Sequence, residues 1–242
     1  MKWAILSDIH GNLEAFRAVI QDLRNEGVDQ VACLGDVVGY GADPNECLAF
    51  LRELTEGVVA GNHDYGAVGL TDIQAFNSAA QAAIQWTREE LSGENLAFLR
   101  QLPLCRQRGG TTFVHATPHR PHEWNYIFTF PEAEEGFRAL AGDLAFVGHS
   151  HSPLILAQEA GGEVKVLSPE EATLEESRRH MINVGSVGQP RDNNPRAAYG
   201  LYEEVGRKYL LKRVPYDVQG AQKKILKAGL PPFLAERLSR GI

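Results

Sequence analysis

Five short apolar runs in this sequence each end, within one or two residues, in Asp, Asn or His side chains. Short runs of β-branched and large apolar residues predict buried strands. Because open α/β sheets bind their ligands beyond the carboxyl ends of strands, these endings mark a candidate binding site. The side chains concerned are Asp8, His10, Asp36, Asn62, His115, His149 and His151.

The residues between the first runs predict crossover helices. Apolar side chains recur at helical spacing from Leu13 to Leu23, and Gly27 marks the end of that helix. Residues 43–46 have the composition of another helix start. Alternation of strand and helix at this spacing implies right-handed crossovers and a parallel sheet. The strands are expected at 3–6, 31–34 and 58–60.

The remainder of the chain predicts further helices and a mostly antiparallel final third. A helical pattern spans 72–102 with a break near Ser92, and a polar, aromatic loop is expected at 116–130. Residues 168–171 read as a capping box that starts a short charged helix. Strands are expected at 104–107, 111–114, 144–147, 154–158, 163–167, 181–184, 198–203 and 208–214, and closing helices at 218–227 and 232–240. Because no repeat or linker interrupts the sequence, residues 1–242 are expected to form one α/β domain.

Charge and cysteine content exclude several classes of protein. A formal net charge of −7 argues against a general nucleic-acid-binding surface, which would be basic. Cys33, Cys47 and Cys105 lie far apart and form no CxxC pair, so neither a disulfide framework nor a zinc knuckle is expected. The sequence shows no signal peptide and no apolar stretch long enough to cross a bilayer. We therefore expect a cytoplasmic protein without a membrane partner; its oligomeric state stays open.

The seven strand-end side chains form a ligand set of oxygen and imidazole without thiolate. Such a set suits Mn, Fe, Ni, Co or Zn and disfavours a structural zinc site. A single His after a strand is more often a satisfied polar group than a ligand, but five strand endings together are hard to explain in that way. Seven ligands exceed what one ion needs, whereas two ions that share a bridging carboxylate would use them all.

The stretch Gly61-Asn62-His63-Asp64 adds acid–base chemistry to this set. His63 can carry a proton near neutral pH, and Asp64 can hold its imidazole in one orientation. The alternative is a polar turn before a helix.

The order DxH, GDxx, GNH[DE], His and GHxH resembles the pattern of the calcineurin-like metallophosphoesterase superfamily over nearly the whole chain. The resemblance implies a four-layer α/β/β/α sandwich with mixed sheets and a site where the two sheets meet at one edge. It also implies two divalent ions, with Mn²⁺ expected and Fe, Ni, Co or Zn as alternatives. Its ligand roles assign Asp8, His10 and His151 to the first metal, Asn62, His115 and His149 to the second, and Asp36 to both. His63 would sit over the substrate phosphate, positioned by Asp64.

Within the superfamily, the residues after Gly35-Asp36 separate this chain from protein phosphatases and symmetric dinucleoside-tetraphosphate hydrolases, which carry GDxVDRG. The stretches Gly39-Tyr40-Gly41 and 183–191 are similar to a small bacterial and archaeal phosphodiesterase branch related to diadenosine tetraphosphatases. The similarity implies hydrolysis of a small or nucleotide-type phosphodiester through a metal-bridging hydroxide. Ala116 departs from the glycine usual after the histidine and is expected to narrow the pocket. The alternatives are a phosphomonoesterase, a dinucleoside polyphosphate hydrolase, and a non-catalytic scaffold, which would lack His63.

Five further residues are candidate substrate contacts. Asn183, Ser186 and Arg191 lie on a Gly-rich loop that either faces the phosphate or forms a tight turn. Arg120 and Tyr126 either line the substrate pocket or lie in a surface loop. His119, His122 and His180 are interpreted as ordinary polar residues.

Overall fold

The computed structural model describes residues 1–159 and 162–242. The helices are α1 (Leu13–Glu26), α2 (Pro44–Leu54), α3 (Asn62–Ala67), α4 (Ser78–Glu90), α5 (Gly93–Arg100), α6 (Phe130–Ala139), α7 (Val218–Lys227) and α8 (Pro232–Glu236), with 3-10 turns at Pro121–Glu123 and Arg237–Ser239. The strands are β1 (Lys2–Leu6), β2 (Gln30–Cys33), β3 (Cys105–Arg108), β4 (Thr111–Val114), β5 (Leu144–Val147), β6 (Leu154–Glu159), β7 (Val164–Leu167), β8 (Glu171–Thr173), β9 (Arg178–Asn183), β10 (Ala197–Glu203) and β11 (Lys208–Val214).

The strands form two mixed sheets. Sheet A has the order β2-β1-β10-β11-β8, in which β1 and β2 are parallel and the other pairs are antiparallel. Sheet B has the order β3-β4-β5-β9-β6-β7, with β4, β5 and β9 parallel to one another. The last third of the chain is thus not wholly antiparallel, because β9 pairs with β5 in parallel. The prediction of mixed sheets is confirmed.

Strands β1, β5 and β10 are buried on both faces along most of their length, which explains their mostly apolar sequences. Because side chains alternate along a strand, Ala4 and Leu6 of β1 pack under the helices while Trp3 and Ile5 face sheet B. In sheet B, Phe146 faces sheet A, with its ring 5.8 Å from that of Phe113.

Helices cover the outer faces of the two sheets. Phe16 of α1 is fully buried on the outside of sheet A, and Phe137 of α6 is fully buried on the outside of sheet B. Burying one such side chain stabilises the fold by about 1.5–3 kcal/mol. The layers therefore follow the order α/β/β/α, as predicted.

Several local predictions were wrong. Residues 58–60 form only one bridge, between Val58 and Cys33, because the Ala60 N–H donates to Pro103 O instead of continuing along β2. Residues 168–171 do not start a helix, since Glu171 begins strand β8 and pairs with Leu210 of β11. Tertiary pairing overrides the local capping signal there.

Two helical boundaries also differ from the predictions. Helix α6 was missed, although Thr129 and Glu132 form a capping box at its start. The predicted helix at 72–102 begins only at Ser78, and α8 ends at Glu236, from where a 3-10 turn continues to Ser239. None of the helices in the described part of the chain combines the length and apolar character needed to cross a bilayer.

Candidate metal centre

The seven predicted ligands converge at the edge where the carboxyl ends of β1, β2, β4 and β5 meet. Asp8 and His10 follow β1 and Asp36 follows β2 in sheet A, whereas His115 follows β4 and His149 and His151 follow β5 in sheet B. Asn62 is the first residue of α3, so the Gly-Asn-His-Asp stretch opens a helix instead of forming a loop. Every one of the seven side chains is at most 7% exposed.

A first cluster of ligand atoms joins Asp8, His10, Asp36 and His151, all within 4.8 Å of one another. The Nε2 atom of His151 lies 3.1 Å from Asp8 Oδ1 and 3.1 Å from His10 Nε2. Asp36 Oδ2 is 3.6 Å from His10 Nε2. Two carboxylates and two imidazoles therefore point at one small volume.

A second cluster joins Asp36, His115 and His149. His115 Nε2 lies 3.3 Å from Asp36 Oδ2, 3.1 Å from His149 Nδ1 and 3.1 Å from Asn62 Oδ1. The same oxygen of Asp36 thus faces both clusters.

The hydrogen-bond partners of the histidines show that these clusters fit cations. The Nδ1 atoms of His10, His115 and His151 each face a backbone carbonyl, at 3.1, 2.8 and 2.6 Å, so they donate and leave Nε2 with a lone pair. The 3.1 Å contact between His10 Nε2 and His151 Nε2 then brings two acceptors together. Asp8 Oδ1 has no hydrogen-bond donor among the described residues. Facing acceptors of this kind are satisfied by a metal ion, and the N/O donor set suits a divalent one.

The pKa values of the ionisable groups at the centre also favour a bound cation. Burial lowers the pKa of His149 to about 3 and that of His151 to about 4, so both imidazoles are neutral at neutral pH. Burial opposes ionisation of Asp36, but the charges of His115 and His63 outweigh it and hold its pKa well below the usual range. Burial also opposes protonation of His115, yet the Asp36 charge raises its pKa to about 9. Beside Asp36, either a proton on His115 Nε2 or a cation that takes the place of that proton is therefore favoured, and the lone pair on Nε2 belongs to the second case.

The backbone at the centre is strained. Asp8, His10, Asp36, His149 and His151 all have left-handed φ angles, between 50° and 67°. For an L-residue other than glycine this conformation costs roughly 1–2 kcal/mol. Gly61 is required for a related reason, since a Cβ atom there would lie 2.0 Å from Asp36 Oδ1. The tertiary structure holds these residues in a costly backbone conformation that directs their side chains toward the two clusters.

His63 lies beside the clusters without joining either of them. Its ring is 4.8 Å from that of His10, 4.4 Å from Tyr40 and 5.2 Å from Phe76. Its Nδ1 atom has no hydrogen-bond partner among the described residues. Only a glycine fits at position 39, because a Cβ atom there would lie 2.4 Å from His63 Nδ1. Packing therefore holds the imidazole in place.

The predicted contact between Asp64 and the His63 imidazole is wrong. Asp64 Oδ1 accepts the Val37 and Val38 N–H groups at 2.9 and 3.2 Å, and Oδ2 accepts the Gly61 N–H at 3.0 Å. At the third position of α3, the carboxylate reaches back to the cap of its own helix and across to the loop after Asp36. Asp64 is a positioning residue for that loop.

We expect Asp64→Asn to act on stability and not selectively on one class of leaving group. An amide nitrogen facing Gly61 or Val37 leaves a buried N–H unsatisfied, at a cost of about 1–3 kcal/mol. For a chain of this size, each kcal/mol lowers the melting temperature by roughly 2–4 °C. Thermal unfolding of the variant beside Asp72→Asn, an exposed matched change, measures the effect. An unchanged melting temperature with a strong leaving-group effect would restore the predicted contact with His63.

Two candidate substrate contacts are engaged with the protein itself. Asn183 Nδ2 donates to Gly148 O and to Ser150 Oγ, while its Oδ1 accepts the Gly185 N–H. Ser186 Oγ donates to Asp8 O at 2.8 Å. These side chains brace the strand-end loops, which favours the tight-turn alternative over a contact with the phosphate.

Arg191 lies at the rim of the first cluster. Its Nε and Nη2 atoms donate to Gln189 Oε1 at 3.3 and 2.9 Å, and its guanidinium lies 5.7 Å from the Tyr40 ring centroid. Gln189 also accepts the His151 Nδ1–H through its backbone oxygen, so it fixes a ligand and the arginine together. Arg191 therefore remains a candidate contact.

A cavity of about 640 Å³ opens beside His63, Asn62 and His149. Of the two loop residues for which both alternatives were open, Tyr126 lines this cavity and Arg120 does not: the Arg120 guanidinium is exposed and pairs with Glu123. His122, interpreted from the sequence as an ordinary polar residue, also lines the cavity. The sequence analysis missed three aromatic lining residues, which are Tyr40, Phe76 and Trp124. The signal for Tyr40 was its place four residues after Asp36, between two glycines; no comparable signal marked the other two.

Comparison with known proteins identifies the family. The sequence model of the family described as Calcineurin-like phosphoesterase matches residues 1–153. The chain belongs to the calcineurin-like phosphoesterase family. This phosphoesterase is 43% identical over 243 residues to an uncharacterised protein of Methanocaldococcus jannaschii, covering 98% of this chain and 97% of that protein. It is 36% identical to a metallophosphoesterase from Sphaerobacter thermophilus, whose crystal structure matches with a TM-score of 0.86 and full coverage of both chains.

A more distant relative is named for its substrate. The symmetrical bis(5'-nucleosyl)-tetraphosphatase of Coxiella burnetii is 28% identical over 151 residues, which is 59% of this phosphoesterase and 51% of that enzyme. Members of the family are metal-dependent phosphoester hydrolases, and the two Asp/His clusters of this phosphoesterase suit a pair of divalent ions.

Proposed function

We propose that this phosphoesterase uses two divalent ions to hydrolyse a small or nucleotide-type phosphodiester. The observation that carries the proposal is the position of Asp36 Oδ2, 3.6 Å from His10 Nε2 and 3.3 Å from His115 Nε2, between the two ligand clusters. When bound, the ions supply an activated water at neutral pH and neutralise charge on the phosphoryl oxygens. Mn²⁺ is the ion we expect, with Fe, Ni, Co and Zn as alternatives that elemental analysis distinguishes.

The proposed roles of the chain's own residues follow the two clusters. Asp8, His10 and His151 hold one ion, and Asn62, His115 and His149 hold the other, with Asp36 shared. His63 lines the cavity beside the clusters, next to the position proposed for the leaving oxygen. Burial holds the pKa of its imidazole well below the usual range, so its role as proton donor requires that the negative charge of the bound substrate raises that pKa. Burial of the whole set strengthens these interactions, because the local dielectric is low.

The charge of the cavity supports a diester over a monoester. Apart from histidines, the ionisable groups that line it are two tyrosines, Asp72 and Glu123, and no Lys or Arg is found among its described lining residues. Aligned on Gly35-Asp36, Tyr40 takes the place of the arginine that GDxVDRG sequences carry. A guanidinium at that position could pair with the second negative charge of a monoester, whereas Tyr40 cannot, and the neighbouring Arg191 guanidinium donates to Gln189 Oε1.

We therefore expect bis(p-nitrophenyl) phosphate to be hydrolysed faster than p-nitrophenyl phosphate by the Mn²⁺-loaded protein. The two substrates share a leaving group and differ in charge and in the second aryl group, so the change of their kcat/KM ratio between the wild type and Tyr40→Arg, and not the ratio alone, reports the charge preference. Tyr40→Arg should shift this ratio toward the monoester. A monoester rate tenfold or more above the diester rate, about 1.4 kcal/mol in transition-state terms, contradicts the proposal.

Hydrolysis of dinucleoside polyphosphates is the second candidate function. The Coxiella burnetii relative named for that activity favours it, although the match spans about half of that enzyme. Including diadenosine tetraphosphate in the same assay decides between the two, because a higher kcat/KM on it than on the diester would select this second function.

We also propose that residues 1–242 act as one domain. Trp3 from the start of the chain packs on Phe113 of sheet B with ring centroids 5.5 Å apart. Strand β10, near residue 200, lies beside β1. A single cooperative unfolding transition is the expected observation.

A further inference from the structure

The cavity beside His63 has the size of a small-molecule site and a composition that the metal chemistry leaves unexplained. Its volume of about 640 Å³ lies within the range of ligand pockets and exceeds what a phosphate group fills. Asn62, His63 and His149 connect it to the metal centre. Whatever is attached to a phosphate held at the centre has room to extend into this space.

Four aromatic side chains line the cavity: Tyr40, Phe76, Trp124 and Tyr126. They come from three separate segments of the chain and line the same cavity as His63 and His149. Tyr126 stacks on His149 with ring centroids 4.0 Å apart and an angle of 20° between the planes. Phe76 lies 5.2 Å from the His63 ring.

The aromatic wall is held by contacts of its own. The Trp124 Nε1–H donates to Thr71 Oγ1 at 3.0 Å, which ties the loop after β4 to the segment before α4. The Trp124 ring also meets Tyr65 edge-on at 5.7 Å. An ordered set of rings of this kind is suited to stacking against a planar ligand group.

No lysine or arginine is found among the described lining residues of the cavity, so a further phosphate would have no fixed positive charge to pair with there. Asp72 and Glu123 are its carboxylates, and Arg191 lies on the Tyr40 side, outside the lining. Thr71 and Asn77 add hydroxyl and amide groups. The oxygens of these groups can accept hydrogen bonds from ring and exocyclic N–H groups, and the carboxylate of Asp72 disfavours an anion.

From these observations we infer that the cavity binds a planar, uncharged nitrogen heterocycle of the nucleobase type, carried by the substrate next to the scissile phosphate. The inference rests on the proposed function for the position of the phosphate. It narrows the substrate class to esters of nucleosides and assigns Phe76 and Trp124 as residues that determine specificity.

Adenosine is the probe that tests the cavity separately from hydrolysis, because it carries the base but no phosphoester. The titration is followed by ligand-detected NMR on protein that is free of Mn²⁺ and loaded with Mg²⁺. It should show saturable binding of adenosine and no binding of ribose at the same concentrations. Loss of one stacking ring should weaken adenosine binding by about 5- to 100-fold. Phe76→Leu and Trp124→Leu are the test variants, and Trp124→Phe, which keeps a ring, should bind within about fivefold of the wild type.

Phe233→Leu is the matched control, since Phe233 is half-exposed on α8 and does not line the cavity. Thermal unfolding of each variant verifies that the fold is kept. The inference is overturned if adenosine does not bind, if ribose binds equally well, or if Phe76→Leu and Trp124→Leu bind like the wild type. Adenosine binding by a protein that hydrolyses no phosphoester would uphold the cavity assignment and refute only the proposed function.

Discussion

Asp36→Asn should purify with both metal positions depleted and should lose more activity than any other single ligand change. The reason is that Asp36 Oδ2 faces both clusters, so one substitution weakens two sites and removes the negative charge between them. Even the loss of a residue that only hydrogen-bonds to a metal ligand typically costs 10–100-fold in metal affinity or activity. We therefore expect a loss of more than about 100-fold in kcat/KM for a phosphodiester.

Elemental analysis of the purified variant, as ions per chain, is measured together with its rate. Asp143→Asn serves as the control, because Asp143 pairs with Arg207 at the surface and touches neither cluster. A ligand from one cluster only, such as His149→Ala, should leave part of the metal bound. Two ions per chain in Asp36→Asn, with a near-normal rate, would show that the bridge is a different residue.

His63→Ala should keep its metal and lose rate in proportion to the basicity of the leaving group. The imidazole lies outside both ligand clusters and faces the cavity, where a leaving oxygen would depart. General acid catalysis is worth about 10²–10⁴-fold and matters most for groups that leave poorly without a proton. We expect a loss in that range on an alkyl or nucleoside ester and a much smaller loss on a nitrophenyl ester.

The measurement compares two diesters whose leaving groups differ widely in pKa, with metal content determined for each protein. His119→Ala is the matched control. His119 lies in the loop after β4 and belongs neither to the clusters nor to the cavity lining. Equal losses on both substrates would mean that His63 holds the phosphate instead of assisting departure. Loss of metal would make it part of the coordination shell.

The convergence of the candidate ligands could be predicted from the sequence because their physical signal is local. Each short apolar run that ends in Asp, Asn or His is readable from its own residues, and the parallel β1–β2 and β4–β5 pairs bring those ends to one edge. The helical spacing of apolar residues predicted α1, and the short apolar runs predicted most strands, with their ends placed within one to three residues. The family resemblance then added the four-layer order and the shared position of Asp36.

What sequence reasoning missed depends on contacts between distant segments. The role of Asp64 is set by backbone N–H groups of Val37 and Val38, some 26 residues earlier, and no local pattern encodes them. Strand β8 forms because β11 offers an edge. Phe76 and Trp124 lie in segments of irregular structure, so their convergence on the cavity follows from tertiary packing alone.

The ligands come from both sheets, and this has a mechanical consequence. Asp8, His10 and Asp36 extend from sheet A, and His115, His149 and His151 extend from sheet B; the described strands of the two sheets are not joined by a hydrogen-bonded ladder. Bound ions would therefore act as cross-links between two layers that are otherwise joined by apolar packing and by a few hydrogen bonds, such as those of His115 Nδ1 with Leu34 O and of His149 N with Asp8 Oδ2. By mass action, an ion at 100 times its dissociation constant adds about 2.7 kcal/mol to the free energy of unfolding. A chelator should lower the unfolding midpoint of the entire chain, so that a melting curve becomes a measure of how fully the centre is loaded.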